Sequence, residues 1–440
     1  MTQTLVAVIE NEASAAVVQG WRRTRLGYEV WLRARLGWKG LKADEYVLEG
    51  YALLSTPDIK GRQINFANVN YISKARFDES PEIKVNLGDV LLAKDGSTLG
   101  TVNVIRELPI EATVNSSIAV LTPYSGLNSE FLSYSLQGTV LKSLIQELKG
   151  GMGVPHLFQD DIKMFPLLLP SLEEQSAIAS FLDRETAQID VLIAKQQQLI
   201  ETLAERRKAV ITRAVTRGLD PTVELKDSAV REIGYIPKHW SVKKLSRLFQ
   251  TIGSGTTPPT EGTDFYDGET PWVTTGELRE SVIYETSKFV SKFALSSLSA
   301  LRIYPEGSLV LAMYGATIGR LGILGVAATT NQACCVMADA SDANVKFIYY
   351  ALQISKERLL TLSSGGGQPN INQDIVRQFR VAVPPMSQQV GIVTFLEHET
   401  RKLDALGAKA SQFVDVLKER RQALISAAVT GKIDVREKGL

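Results

Sequence analysis

One long helical segment occurs twice in this chain, and the rest must be arranged around the two copies. The first begins at Pro170-Ser171-Leu172-Glu173-Glu174-Gln175 and ends at Ala214-Val215-Thr216. The second begins at Pro384-Pro385-Met386-Ser387-Gln388-Gln389 and ends at Ala428-Val429-Thr430. Superposed at an offset of about 214 residues, they match at roughly 21 of about 47 positions without a gap. The matches include Phe181-Leu182 with Phe395-Leu396, Glu185-Thr186 with Glu399-Thr400, and Arg206-Arg207 with Arg420-Arg421. This is a duplication.

The spacing predicts a heptad seam in both copies. In the first, Ile178, Leu182, Glu185, Ile189, Leu192, Gln196, Leu199, Leu203, Arg206 and Val210 step by alternating fours and threes. In the second, Ile392, Leu396, Glu399, Leu403, Leu406, Ala410, Phe413, Leu417, Arg420 and Leu424 keep the same phase. Proline precedes each segment, Gly218 and Gly431 follow, and Ser171 with Glu174 fits a capping box. At 1.5 Å per residue each rod is about 65–70 Å long. A seam of that length needs a partner, and the other copy is the cheapest candidate. The plain alternative is two unrelated surface helices of a globular core. Antiparallel pairing would give partner residues a constant sum of numbers. If Glu185 faces Arg420, the repeat also puts Glu399 opposite Arg206. Both pairs of residue numbers add to 605.

With 440 residues, 44% hydrophobic and 22% charged, the chain has room for two or more domains beside the rods. MTQTLVAVIE lacks the basic start and cleavage site of a signal peptide, and no apolar run reaches a membrane span. Cys334 and Cys335 are adjacent and offer neither a disulfide framework nor a zinc pattern, so a cytoplasmic location is expected. A net charge of +1 requires any basic surface to be local.

From Trp21 to Leu41, Arg22, Arg23, Arg25, Arg33, Arg35 and Lys39 are interleaved with Trp21, Tyr28, Trp31 and Trp38. Such mixing suits a phosphate-contacting edge; the plain alternative is an amphipathic element with solvated arginines. From Tyr46 to Leu169 the pattern changes to short β-rich runs. Val90-Leu91-Leu92-Ala93 leads into the loop Lys94-Asp95-Gly96-Ser97-Thr98-Leu99-Gly100, and Lys149 opens a second glycine loop that leads out through His156. After the polar linker Arg217–Asp227 the pattern returns. At an offset of about 219, Gly307 to Gly319 answers Gly88 to Gly100, and the Thr270 to Leu278 run answers Tyr51 to Ile59. Gly365 to Ile371 answers Gly151 to Leu157. Two related α/β globules are therefore expected, with a related scaffold and dissimilar loops.

These features together resemble the specificity subunit of type I restriction–modification enzymes. The carriers are Phe181-Leu182-Asp183-Arg184-Glu185-Thr186, Phe395-Leu396-Glu397-His398-Glu399-Thr400, and Pro271-Trp272-Val273-Thr274-Thr275-Gly276-Glu277-Leu278, with the Gly-Asp/Ser-x-Leu/Val-Leu runs in support. The second half is the more typical; the first has Leu53 where Trp272 stands. The resemblance implies an α+β chain of two α/β target-recognition globules in tandem pseudo-repeat, separated by two long helices that form an antiparallel coiled coil. Its segments are 1–168, 169–217, 218–383 and 384–440. It further implies a non-catalytic reader of double-stranded DNA, each globule reading half of a bipartite, asymmetric target while the rods set the spacer. Two modification subunits and the restriction subunits would join it. S-adenosylmethionine, ATP and Mg²⁺ would be bound by those partners, and no cofactor by this chain.

The residues themselves agree with a non-catalytic role. The chain has no Asn/Asp-Pro-Pro-Tyr/Phe tetrad and no phosphate-binding Gly-x-x-x-x-Gly-Lys-Ser/Thr loop, and His156, His239 and His398 are isolated. One catalytic-looking pattern remains, Pro57-Asp58 with Glu82-Ile83-Lys84, at the loose spacing of a metal-dependent nuclease. Base reading needs donors and acceptors on loops. The candidates are Arg22, Arg23, Arg25, Lys94, Ser97, Thr98, Lys149 and His156 in the first half, and Thr274, Thr275, Tyr314, Thr317, Gln368 and Asn370 in the second. Against this, glycine loops also close tight turns with hydroxyls bonded to nearby backbone. A second reading of the whole is a coiled-coil adaptor holding two protein-binding modules, without DNA.

Overall fold

Both long segments are single helices, Leu172–Arg217 with 46 residues and Met386–Val429 with 44. Gly218 and Gly431 close them in the left-handed region, at φ of 75° and 70°. The computed structural model of the chain describes residues 20–35, 41–148, 156–259, 263–363 and 370–435. Two compact units result: unit 1 is 1–197 with 411–440, and unit 2 is 198–410. Each unit thus contains one globule, the start of one long helix and the end of the other. None of the described helices is long and apolar enough to cross a membrane.

In unit 1 the strands are β1 (Arg22–Arg25), β2 (Val30–Arg33), β3 (Tyr51–Leu54), β4 (Asn70–Ile72), β5 (Val90–Ala93), β6 (Val102–Val104), β7 (Ala112–Val114), β8 (Ile118–Pro123) and β9 (Pro166–Leu169). A sheet of order β2-β8-β5-β6 forms the centre, flanked by β4-β3-β7 and the pair β1-β9. Strand β5 is apolar throughout because both its faces are covered. Val90 and Leu92 join a core with Phe131 of helix Ser129–Gln137, while Leu91 and Ala93 join a second core with Leu54 and Val114 of the smaller sheet. Ile178, Phe181 and Leu182 of the first long helix, and Ile425, Ala428 and Val429 of the second, complete the first core.

Unit 2 repeats this plan with β10 (Leu225–Asp227), β11 (Tyr235–Pro237), β12 (Ser241–Lys244), β13 (Phe249–Ser254), β14 (Thr270–Val273), β15 (Ser281–Ile283), β16 (Phe289–Val290), β17 (Leu309–Ala312), β18 (Leu321–Leu324), β19 (Thr329–Thr330), β20 (Cys334–Ala340) and β21 (Arg380–Val383). Its sheets are β13-β20-β17-β18-β15, β16-β14-β19 and β12-β21, with β10-β11 a separate pair in the linker. Strand β15, parallel to β18, extends the central sheet. Leu309 and Leu311 of β17 face one core, and Val310 and Ala312 the other. Ile392, Val393 and Leu396 enter the first of these with Ile211, Ala214 and Val215. Each of these except Val393 is the repeat of a core residue in unit 1.

The helix starts are fastened alike. Gln175 is fully buried, with its amide donating to the Pro170 and Gly126 carbonyls and its oxygen accepting from Asn128 N. Gln389 does the same with Pro384, Asp342 and Asn344. The indoles of Trp21 and Trp240 donate to Glu174 and Gln388, at 3.2 and 3.0 Å. Only half of the expected capping box is therefore seen at Ser171: its hydroxyl accepts from Glu174 N at 3.3 Å, while the Glu174 carboxylate holds the indole.

The rods run antiparallel, in a register different from the one expected. In unit 1 the first long helix runs forward from Ile178 to Asp190 as the second runs back from Val429 to Arg421, and Arg421 Nε meets Asp190 Oδ1 at 2.9 Å. In unit 2 Arg207 Nε meets Asp404 Oδ1 at 2.9 Å. The residue numbers in both pairs add to 611, not 605. Glu185 contacts its neighbour Arg184 instead, and Glu399 lies 3.9 Å from His398.

The seam shifts with the register. Ile178, Leu182 and Leu396 are buried, as are Leu403, Ala410 and Leu417, and Leu203 is partly buried. Leu192, Leu199, Leu406 and Phe413 are 42–46% exposed, and Arg206 and Arg420 are exposed too. The less exposed positions are the next residues along, Ile193, Ile200 and Arg207 in one rod, and Gly407, Val414 and Arg421 in the other. After Ile189 and Leu403 the seam steps by four and then three, the reverse of the expected order.

Candidate nucleic-acid interface

In each unit, two loops that are distant in sequence are joined at the end of the middle strand of the central sheet. After β5, Gly100 N donates to Ala93 O at 2.8 Å and the turn Gly96–Thr98 projects between them. Leu157 N donates to Lys94 O at 2.8 Å, and a β-bridge joins Asp95 to His156. After β17, Gly319 N donates to Ala312 O at 2.9 Å, Ile371 N donates to Met313 O at 3.0 Å, and a β-bridge joins Tyr314 to Asn370. Gly100 and Gly319 take φ of 87° and 78°, which a residue with Cβ adopts only under strain. The same backbone clasp thus carries different side chains.

In unit 1 those side chains are ionic. Lys94 Nζ donates to Asp95 Oδ2 at 2.9 Å, and His156 Nδ1 is paired with Asp95 Oδ1. The Phe158 ring stands edge-on to His156 at 4.5 Å and is exposed. Ser97 is exposed, and Thr98 O accepts from the Thr101 hydroxyl at 2.7 Å. In unit 2 the loop is neutral. Tyr314 and Asn370 are exposed, Ala316 stands where Ser97 does, and the Thr317 hydroxyl donates to Tyr314 O at 3.1 Å.

The fold brings Lys94, Ser97, Thr98 and His156 to one loop pair, and Tyr314, Thr317 and Asn370 to its counterpart. Lys149 and Gln368 lie outside the described residues. Thr274 and Thr275 belong to a different turn, in which Glu277 Oε2 accepts from Thr274 N at 2.8 Å and from its hydroxyl at 2.5 Å. Burial opposes the Glu277 carboxylate, but hydrogen bonds from Ser287 and Thr274 outweigh it and hold its pKa below the ordinary value. Arg22, Arg23 and Arg25 stand on β1, in the separate β1-β9 sheet; Arg22 pairs with Glu29 at 2.9 Å, and Arg25 reaches Met164 Sδ at 3.7 Å. Farther along the same basic stretch, Arg33 is buried and ion-paired with Asp89.

Asp95, not among the predicted contacts, is the side chain that ties the unit 1 loops together. Its signal was its alignment with Tyr314 at the same offset that aligns the flanking glycines. The nuclease-like spacing does not assemble into a site: Asp58 Oδ2 accepts from Ser55 N at 2.8 Å as part of a turn, and Lys84 Nζ is bound to Asp78 at 2.6 Å. Among the described residues no group of three or more His, Cys, Asp or Glu could hold a metal ion.

A family model, the type I restriction modification DNA specificity domain, matches residues 49–202 and again 237–411. The specificity subunit of the type I restriction enzyme MjaVIII of Methanocaldococcus jannaschii is 24% identical over 365 residues, covering 81% of each chain. That of EcoKI from Escherichia coli K12 is 20% identical over 434 residues, covering 94% of this chain and 89% of its own length. Among solved structures, a chain of a type I R-M system superposes with a TM-score of 0.73 at 15% identity, covering 95% of this chain and all of its own. The HsdS subunit from Thermoanaerobacter tengcongensis gives 0.52 at 14% identity, covering 96% of this chain and all of its own.

Proposed function

This chain belongs to the type I restriction modification DNA specificity family, and on that premise we propose that each unit reads one half of a bipartite, asymmetric DNA target. The observation that carries this is the repeated loop clasp, identical in backbone and different in chemistry, Lys94/Asp95/His156 against Met313/Tyr314/Asn370. A single scaffold with two sets of donors and acceptors is what reading two different half-sites requires.

The paired helices set the number of unread base pairs between the half-sites and offer docking surfaces for modification and restriction subunits. Those partners would hold S-adenosylmethionine, ATP and Mg²⁺; this chain contributes recognition and no reaction step. The net charge of +1 confines phosphate contacts to local basic groups such as the β1 arginines. The complex would act in the cytoplasm, where the DNA is.

Methylome sequencing of a host expressing this chain with its modification subunit tests the proposal. The expected result is one asymmetric motif with two specified halves around a spacer of fixed length. One heptad inserted after Gln198 and another after Gln412 keep the seam in phase and lengthen the pair by about 10 Å. That corresponds to roughly three more base pairs in the spacer. A heptad variant that methylates at the original spacing would remove the helices as the ruler. A complex showing no salt-dependent shift of duplex DNA would favour the adaptor reading.

A further inference from the structure

We propose that Asp95 is a specificity-determining residue of unit 1, its carboxylate accepting a hydrogen bond from the exocyclic amino group of a cytosine in the major groove. The inference rests on the reading of unit 1 as a DNA half-site reader, and adds to it a residue and a base chemistry.

Three observations converge. Asp95 occupies a position at which the two units differ in chemistry while the backbone is repeated: carboxylate in one, phenol in the other, with the β-bridge kept in both. The carboxylate is held rigidly. Oδ1 is paired with His156 Nδ1 and Oδ2 with Lys94 Nζ, each oxygen keeping a second lone pair for another donor. And the side chain is still 23% exposed, next to the open His156 and Phe158.

A carboxylate at a DNA interface is repelled by phosphates, so it must face base edges, and Lys94 beside it offsets the charge. An ionised carboxylate only accepts hydrogen bonds, which selects for a base presenting an amino group; cytosine N4 is the standard partner of Asp in the major groove. Tyr314 and Asn370 present mixed donors and acceptors instead, so unit 2 is free of that restriction. An alternative role for Asp95, as a mere clasp between loops, differs in one consequence. Asp95→Asn keeps the shape and a hydrogen bond to His156, and so should leave a clasp intact and the motif unchanged.

The test uses the full chain assembled with its modification subunit. Wild-type and D95N complexes select duplexes randomised in each half-site. Asp95→Asn is expected to relax discrimination at one base pair of the unit 1 half-site by on the order of tenfold, with the other half-site and the spacer unchanged. In parallel, the wild-type complex is tested on duplexes in which each cytosine of that half-site in turn is replaced by 2-pyrimidinone, which lacks the amino group. One replacement should weaken binding by on the order of tenfold, and this arm does not depend on the variant folding. Lys94→Met removes the partner of Oδ2, and should relax discrimination at the same base pair while leaving the other half-site unchanged. If no cytosine replacement matters, or D95N selects the wild-type half-site, Asp95 is not a base reader although the bipartite reading stands. A wild-type complex that selects no bipartite motif overturns both.

Discussion

Register in the sheets allows the two units to be compared residue by residue, and unit 1 is the more ionic inside. Arg33 is 5% exposed and its guanidinium binds Asp89 Oδ2 at 2.8 Å, Thr122 Oγ1 at 2.6 Å and Lys84 O at 2.8 Å. The strand ladders place Gly253, Ser308 and Ala338 at the corresponding positions of unit 2. There Tyr304, 2% exposed, fills the space, and a Cβ on Gly253 would meet its hydroxyl at 2.8 Å. At the long helix both units use partly exposed ion pairs, but with different partners. In unit 1 Glu130 binds Arg106 at 2.6 Å, and Arg62 reaches Asp183 at 2.6 Å. In unit 2 the residue matching Glu130 is Lys346, which bonds directly to Glu397 at 2.5 Å. The two globules share hydrogen-bonded anchors such as Gln175 and Gln389 but solve their interiors differently, as expected of modules free to diverge once the shared scaffold is kept.

The largest expected effect breaks that contrast. Arg33→Ala leaves Asp89 buried without its cation and should cost about 3–5 kcal/mol. In unit 2 Gly253→Ala should cost about 1–3 kcal/mol through crowding alone. Chemical denaturation of both variants checks the pair; an Arg33→Ala loss under about 1 kcal/mol would show that the ion pair is dispensable. Next, Gln175→Ala and Gln389→Ala remove equivalent buried anchors, and should each cost about 1–3 kcal/mol, by equal amounts within error. Unequal losses would show that the repeated hydrogen bonds are not energetically equivalent.

A smaller effect concerns pH. Tyr134 is pushed up to about 12 by its burial and by the hydrogen bond it donates to Asp183. The raised pKa means that the neutral phenol is favoured in the fold. Its contribution is fully present below the ordinary value of about 10 and declines as pH rises from there toward 12. After discounting for residual solvent, Tyr134→Phe should remove roughly 1 kcal/mol of alkaline sensitivity over that interval, read as the difference between denaturation midpoints at pH 9 and 11. Smallest are the exposed rod pairs. Double-mutant cycles on Asp190/Arg421 and Arg207/Asp404 should give couplings of about 0.2–1 kcal/mol, and Glu185/Arg420 none.

The rods were legible in the sequence because apolar spacing, proline and terminal glycine all agree there. Their phase was not. Leu192 precedes Ile193, Leu199 precedes Ile200, and Arg206 precedes Arg207, so spacing alone cannot tell which member of each adjacent pair faces inward. In the second rod side-chain size is misleading as well, since the bulkier Leu406 and Phe413 are half exposed while Gly407 and Val414 face the seam. The tandem plan of the globules was legible from the repeated glycine runs, whose turns recur with the same positive φ. The clasp between loops is only half visible in the sequence: loop composition points to His156, Tyr314 and Asn370, but Asp95 reads as a solvated acid until His156 and Lys94 are placed against it.

The central claim is that the two units read separate half-sites, and it is tested most directly by altering one loop pair and sequencing the methylome. In a host carrying the modification subunit, Tyr314→Phe with Asn370→Ala should degrade one specified half of the methylated motif, while the other half and the spacer stay as in the wild type. Equal loss of discrimination in both halves would contradict the account.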